Sequence, residues 1–208
     1  MDRFVQLAGV AGDVSRETFS RLERFEAEFK RWAERINLSA PSTLPDLWSR
    51  HILDSAQLMP MSNGAKTWLD LGSGGGFPGA IVAILLRDRL GASISLVESN
   101  KKKGAFLQTT LNSLGAPAKV FMVRIEDAPG KVAQPDIVTA RALAPLPLLL
   151  ELAEPWLING ARALFHKGRD YAAELDKCHD AWRFDLVEHR SVIDDESVIL
   201  DISRLERR

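Results

Sequence analysis

The chain has 208 residues, a formal net charge of −1, a 46% hydrophobic fraction and one cysteine. That length suits one domain with a full core, and the charge argues against a protein that coats nucleic acid with a uniformly basic surface. The single thiol, Cys178, excludes internal disulfides and cysteine-based metal frameworks, as expected for a reducing cytoplasm. No apolar run approaches a membrane span, and Met1-Asp-Arg-Phe4 leads into no signal-peptide core.

Residues 15–36 carry Phe19, Leu22, Phe25, Phe29, Trp32 and Ile36 at spacings of three and four, with charged residues between them. This predicts an amphipathic helix whose aromatic stripe is a packing face. After the turn Asn37-Leu-Ser-Ala-Pro41, a second helix is expected from near Thr43 to about Met59, with Pro45 and Asp46 in its first turn. His51 and Asp54 lie three apart on one face of it, within hydrogen-bonding reach, and read first as a structural pair. Strands follow at 67–71, 92–97, 118–123, 136–140 and 161–165, with helices at 78–88, 100–114, 145–156 and 169–181. Two late strands, about 183–191 and 196–203, read as an antiparallel hairpin closing the sheet. Strands alternating with helices imply a mostly parallel, Rossmann-like α/β sheet with right-handed crossovers. Residues 1–60 are expected to be a helical extension of one compact unit, 61–208.

The organising stretch is Thr67-Trp-Leu-Asp-Leu-Gly-Ser-Gly-Gly-Gly-Phe-Pro-Gly79. A short apolar strand breaks into glycines and restarts at Pro78 as an apolar helix. Such a loop lets backbone approach a nucleotide-type ligand at a helix start. From Asp70 it reads D-x-G-x-G-x-G, the pattern of class I AdoMet-dependent methyltransferases. From Gly74 it reads G-x-G-x-x-G, the dinucleotide fingerprint. Only the first register puts a glycine, Gly72, directly after the strand. Glu98, at the end of strand 92–97, suits both ribose hydroxyls of a bound nucleoside and fits AdoMet or NAD alike.

Ligands of an open parallel sheet bind outside the carboxyl ends of its strands. Five such ends deliver Gly72–Gly76, Glu98-Ser99, Arg124-Ile125-Glu126, Arg141 and Lys167. The glycine loop, including Ser73 and Gly74, and Glu98 with Ser99 are expected to hold the methionine and ribose parts of the cofactor. Backbone at Ile125 and Glu126 would meet the adenine edge, and Arg141 offers a planar fork for a carboxylate or phosphate. Lys101-Lys102-Lys103 opens the next helix without a local acid. With Arg124, Arg141, Lys167 and Arg169 it could form a basic rim for RNA phosphates.

Asn37-Leu-Ser, Arg50-His-Ile-Leu-Asp-Ser55, the glycine stretch, Val97-Glu-Ser, Lys101-Lys102, Phe106-Leu107, Arg124-Ile-Glu126, Arg141-Ala-Leu-Ala144 and Lys167-Gly168, in that order, resemble the bacterial small-subunit rRNA guanine-N7 methyltransferase family, also called glucose-inhibited division protein B. The resemblance spans roughly residues 35–170. It implies S-adenosyl-L-methionine (AdoMet) as cofactor and N7 of a guanine in 16S rRNA, near the decoding site, as acceptor. It also implies cofactor contacts at Gly72, Phe77, Ile125-Glu126 and Arg141, with RNA contacts expected at Lys101, Lys102, Arg124, Lys167 and His51. Gly75 departs from the family, which usually has alanine there.

The residues agree with that acceptor. Pyrimidine C5 methylation generally needs a cysteine nucleophile, and Cys178 lies away from the strand ends. The loop after the fourth strand, Thr139-Ala-Arg-Ala-Leu-Ala144, has nothing like the N-P-P-Y segment used on exocyclic amines. Guanine N7 has a free lone pair and no proton to lose, so transfer needs positioning rather than a catalytic base. No metal site and no obligatory protein partner are evident. A small-molecule methyltransferase and a nicotinamide-dependent oxidoreductase are the alternative readings.

Overall fold

The computed structural model describes residues 2–208. Seven strands form one sheet: β1 (Thr67–Leu71), β2 (Ser93–Val97), β3 (Ala118–Phe121), β4 (Ile137–Arg141), β5 (Arg162–Lys167), β6 (Trp182–Arg190) and β7 (Val198–Arg207). Their order is β3-β2-β1-β4-β5-β7-β6, parallel except for β7, which runs antiparallel to both β5 and β6. The strand order reverses between β1 and β4, and a crevice opens at such a switch point. β1 is covered on both faces, which is why Trp68–Leu71 are all buried and the strand reads as an unbroken run.

Helices α1 (Arg3–Ala11), α2 (Arg16–Ala33), α3 (Asp54–Ala56), α4 (Gly79–Leu86) and α5 (Lys101–Ser113) belong with one face of the sheet, α6 (Leu146–Leu157) and α7 (Tyr171–Asp176) with the other. All eight residues of α4 are buried between the sheet and the N-terminal helices, which accounts for its apolar character all round. The aromatic stripe of α2 packs as its spacing predicts. Phe25 and Phe29 meet Phe106 of α5 with ring centroids 6.0 and 5.8 Å apart, and Phe77 of the glycine loop at 5.9 and 5.3 Å. The hydrophobic core thus reaches the back of the loop.

Two expectations need correction, while α1 lies within the helical extension expected over residues 1–60. Its start is marked by Asp2, whose carboxylate accepts from Phe4 N at 2.8 Å. The expected helix from Thr43 to Met59 is a 3-10 turn at Pro41–Thr43, a π-turn at Trp48–Leu53 and then α3. A π-turn shows the same apolar spacing over one turn, so periodicity cannot distinguish it. The expected helix 169–181 shrinks to Tyr171–Asp176. The chain then folds back so that Cys178 and Trp182 enter the core.

Candidate active site

Gly72 follows β1 directly, with φ +66°. A side chain there would be strained by that backbone, and its Cβ would lie 2.6 Å from Leu143 Cδ1. The next turn is pinned to the neighbouring strand: Ser73 N donates to Val97 O at 3.0 Å. Glu98, at the end of β2 and 8% exposed, accepts from Gly74 N and from Asn100 N, each at 2.7 Å. Its carboxylate therefore ties the glycine loop to the start of α5, while each oxygen keeps lone-pair capacity for a ligand. Beneath the loop Asp70 is fully buried. Thr139 Oγ1 donates to its Oδ1 at 2.8 Å, and burial raises its pKa to about 6.

Gly72, Ser73, Gly74, Phe77, Glu98, Ser99, Ile125, Glu126 and Arg141, all nine residues expected at the cofactor, line one cavity of about 590 Å³. The cavity fits AdoMet on its own features. A Cβ placed on Gly74 would meet only the Gly72 carbonyl, at 3.7 Å, leaving backbone open to a ligand. Glu98 and Ser99 supply hydroxyl partners, Leu148 and Leu152 supply apolar wall, and Arg141 Nη1 is buried with no hydrogen-bond partner among the described residues.

His51 lines the same cavity and stacks on Phe77, with centroids 4.8 Å apart and planes at 19°. The expected His51–Asp54 hydrogen bond is absent: both ring nitrogens of His51 are buried without a partner among the described residues. Burial, and then the neighbouring Arg141 charge, pull its pKa down to about 4, so the ring is neutral at physiological pH. Asp54 belongs to a different pair. Its Oδ2 lies 3.2 Å from Arg141 Nε, and its Oδ1 accepts from Gln57 Nε2 at 2.7 Å. Arg141 Nη2 donates to the Arg50 carbonyl, in the widened π-turn, at 2.8 Å. His166 of β5, buried and with its pKa lowered mainly by desolvation, donates from Nε2 to the Asp54 carbonyl at 3.0 Å. After Arg141 the chain turns through Ala142 in the left-handed region, φ +51°, a strained setting for a non-glycine residue.

The expected basic rim is only partly there. Lys101 and Lys102 are exposed, and the Asn100 side chain caps the helix they open, accepting from Lys102 N at 3.0 Å. Neither lines the cavity; Lys103 does, and nothing in the run itself distinguishes it from its neighbours. Arg124 stands at the cavity, exposed and 3.3 Å from Glu126. Lys167 is not a rim residue. Its side chain is 9% exposed, held by Glu174 at 2.5 Å and by the Ala144 carbonyl at 3.1 Å, so it braces the loop after β4. Arg169 is exposed and paired with Glu196 at 2.7 Å. At Gly75 a Cβ would lie 2.8 Å from the Leu38 carbonyl and 2.9 Å from Phe29 Cε2, so the departure from alanine matches tight local packing. Among the described residues no cluster of His, Cys, Asp or Glu is arranged to hold a metal, and no helix is long and apolar enough to cross a membrane.

The sheet order, the switch-point glycine loop and the carboxylate after β2 define an AdoMet-dependent methyltransferase of class I fold. The nicotinamide reading loses its ground, because its glycine register starts at Gly74, three residues after β1 ends at Leu71. The fold is shared with the O-methyltransferase TomG from Streptomyces achromogenes, solved with SAM (TM-score 0.58, 14% identity, 96% of this chain and 94% of that one). It is also shared with a SAM-dependent methyltransferase from Aquifex aeolicus (TM-score 0.57, 13% identity, 85% and 97%).

Residues 18–198 match the family described as GidB, rRNA small subunit methyltransferase G, and the chain belongs to that family. It is 59% identical to the ribosomal RNA small subunit methyltransferase G of Chelativorans sp. (strain BNC1) over 206 residues, 99% of this chain and 98% of that one. It is 55% identical to the protein of the same name from Brucella canis over 99% and 97%.

Proposed function

We propose that the protein transfers a methyl group from AdoMet to N7 of a guanine in 16S rRNA near the decoding site, acting in the cytoplasm. Held by Gly72–Gly74, Glu98 and Arg141, AdoMet would supply an electrophilic sulfonium methyl, which the N7 lone pair would take as the C–S electron pair returned to sulfur and the positive charge passed to the purine. The chain's own residues bind and orient. Gly72–Gly74, Glu98 and Ser99 hold the methionine and ribose parts, backbone at Ile125-Glu126 the adenine, and Arg141 fixes the inner end. Lys101 and Lys102 outside the cavity, and Arg124 on its lining, supply exposed cations, and RNA phosphates are their natural partners.

One observation carries the choice of acceptor atom. Of the titratable groups His51, Asp54 and Glu98, which stand beside Phe77, Arg141 and the glycine loop, none is free and basic enough to take a proton at neutral pH. Asp54 is engaged by Arg141 and Gln57, Glu98 by two backbone amides, and His51, with its pKa near 4, is a weak base. An exocyclic amine or a hydroxyl must lose a proton on methylation; N7 does not. Methylated positions in 16S rRNA from cells lacking the protein test this reading. Loss of one N7-methylguanine supports it, and an unchanged pattern opposes it.

A further inference from the structure

Gln57 stands where the chain leaves α3 and is only 2% exposed, between Ala56 and Leu58, which are wholly buried. A buried amide is costly unless its polar atoms are bonded, and a methionine would fill the same space without that cost. The bonds explain the glutamine. Its Oε1 accepts from Val192 N at 3.0 Å, which fixes the orientation of the amide. Nε2 then faces acceptors only: Asp54 Oδ1 at 2.7 Å, the Asp54 carbonyl at 3.0 Å and Ser191 Oγ at 3.1 Å. We propose that Gln57 is a positioning residue for the cofactor, holding the Asp54 carboxylate in the orientation that aims Arg141 into the AdoMet cavity, and anchored for that task by the Val192 amide. This role rests on the placement of Arg141 at the inner end of AdoMet proposed above.

The geometry routes the effect through Asp54. Neither Gln57 nor Asp54 lines the cofactor cavity, whereas Arg141 does. The torsion that turns a carboxylate about its Cβ–Cγ bond is soft, so a carboxylate held at one oxygen can swing its charge away from a partner. Here each oxygen is engaged: Oδ1 by Gln57, and Oδ2 by Arg141 Nε at 3.2 Å. The guanidinium is held a second time, because Nη2 donates to the Arg50 carbonyl at 2.8 Å. Its Nη1 is buried and has no partner among the described residues. Two of its nitrogens thus serve the protein, and the third is kept for a ligand. A planar fork gives a directed bond only when its plane is fixed, and residues with locked side chains behind it do the fixing.

The anchor of Gln57 lies late in the chain. Ser191 and Val192 follow the end of β6, 134 and 135 residues beyond Gln57. Ser191 is buried, and its Oγ also accepts from Ile193 N at 3.1 Å and from Asp194 N at 3.2 Å. The turn is therefore closed on itself and presents a fixed amide to Gln57. By contrast α3 spans only Asp54–Ala56, too short a helix to orient a side chain unaided. One glutamine thus ties the sheet's last hairpin to the carboxylate behind Arg141.

Four AdoMet affinities test the role: those of wild type, Gln57→Met, Arg141→Met and the double variant, measured by calorimetry at a temperature where each is folded. Gln57→Met keeps the unbranched shape and removes the bonds. It should weaken AdoMet binding about five- to tenfold, the scale of one lost hydrogen bond. In the Arg141→Met background the same change should weaken binding less than about twofold, because the residue through which it acts is gone. Leu205→Ala is the stability control: Leu205 is a core residue of β7 that takes no part in these bonds, so its truncation should lower Tm and keep AdoMet affinity within about twofold. If Gln57→Met does not fold, Gln57→Asn, a methylene too short to reach both Asp54 and Val192, should show the same pattern. Wild-type affinity in folded Gln57→Met, an undiminished loss in the Arg141→Met background, or an equal loss in Leu205→Ala would each overturn the positioning role and leave the Arg141 assignment standing. Wild-type AdoMet affinity in Arg141→Met would overturn that assignment, and the role of Gln57 with it.

Discussion

Asp54 Oδ2 and Arg141 Nε lie 3.2 Å apart, joining the segment that precedes the sheet to the end of β4. The side chains are 8% and 21% exposed, so the pair is largely desolvated. Removing one partner of a buried pair leaves a charge without compensation, a cost of about 3–5 kcal/mol for full burial and less at this exposure. Asp54→Asn is expected to destabilise by about 2–3 kcal/mol in urea unfolding. Asp54→Asn combined with Arg141→Met should cost less than the sum of the two single changes. Strict additivity would show that the two residues act independently.

Glu98→Ala should weaken AdoMet binding about ten- to a hundredfold, since a hydrogen bond to a charged group is worth roughly 1.5–3 kcal/mol. A strand-end carboxylate serving only ligand hydroxyls would leave the fold of this variant intact. The bonds to Gly74 N and Asn100 N show a structural role as well, so a stability loss of about 1–2 kcal/mol is expected alongside. Calorimetry and thermal unfolding read the two effects separately, and an unchanged AdoMet affinity would remove Glu98 from the cofactor site.

Much of this site is legible in the sequence because strand ends are predictable. With 67–71, 92–97 and 136–140 read as parallel strands, Gly72, Glu98 and Arg141 must share one edge, and they share one cavity. What is not legible is where each side chain finds its partner. His51 and Asp54 share a helical spacing, but Asp54 meets Arg141 from a strand distant in sequence, while His51 stacks on Phe77. Lys167 looks like a free cation in the sequence because its acid, Glu174, sits beyond a turn that periodicity extends into a longer helix. Ala142 gives no sign at all, since its left-handed backbone is imposed by the tertiary fold.

Asp70 and His51 set opposite pH dependences. Asp70 titrates near pH 6 in the folded chain against about 3.8 unfolded, so its contribution is full below about pH 3.8 and lost as pH rises through 6. His51 titrates near 4 against 6.5, so its contribution is present above about pH 6.5 and lost as pH falls through 4. Asp70→Asn should therefore stabilise the protein relative to wild type at pH 8, by up to about 3 kcal/mol, with the gain shrinking towards pH 4. Urea unfolding at the two pH values measures this. An equal effect at both would mean that folding does not shift the Asp70 pKa.

Changing Lys101 and Lys102 together to Gln should reduce the salt slope of RNA binding by up to about 0.7–0.9 for each phosphate that the pair neutralises. AdoMet affinity should not move, because neither residue lines the cofactor cavity. An unchanged salt slope would make the pair a solvated helix face and nothing more.

The most direct measurement is single-turnover transfer from methyl-labelled AdoMet to small-subunit rRNA, with enzyme and cofactor saturating and the modified base identified. The expected product is N7-methylguanine at one position. Its rate should be nearly flat from about pH 6.5 to 8.5, since N7 loses no proton and His51 does not titrate there. Label on an exocyclic amine or a ribose hydroxyl, with a rate rising close to tenfold per pH unit below a plateau, would contradict the N7 assignment.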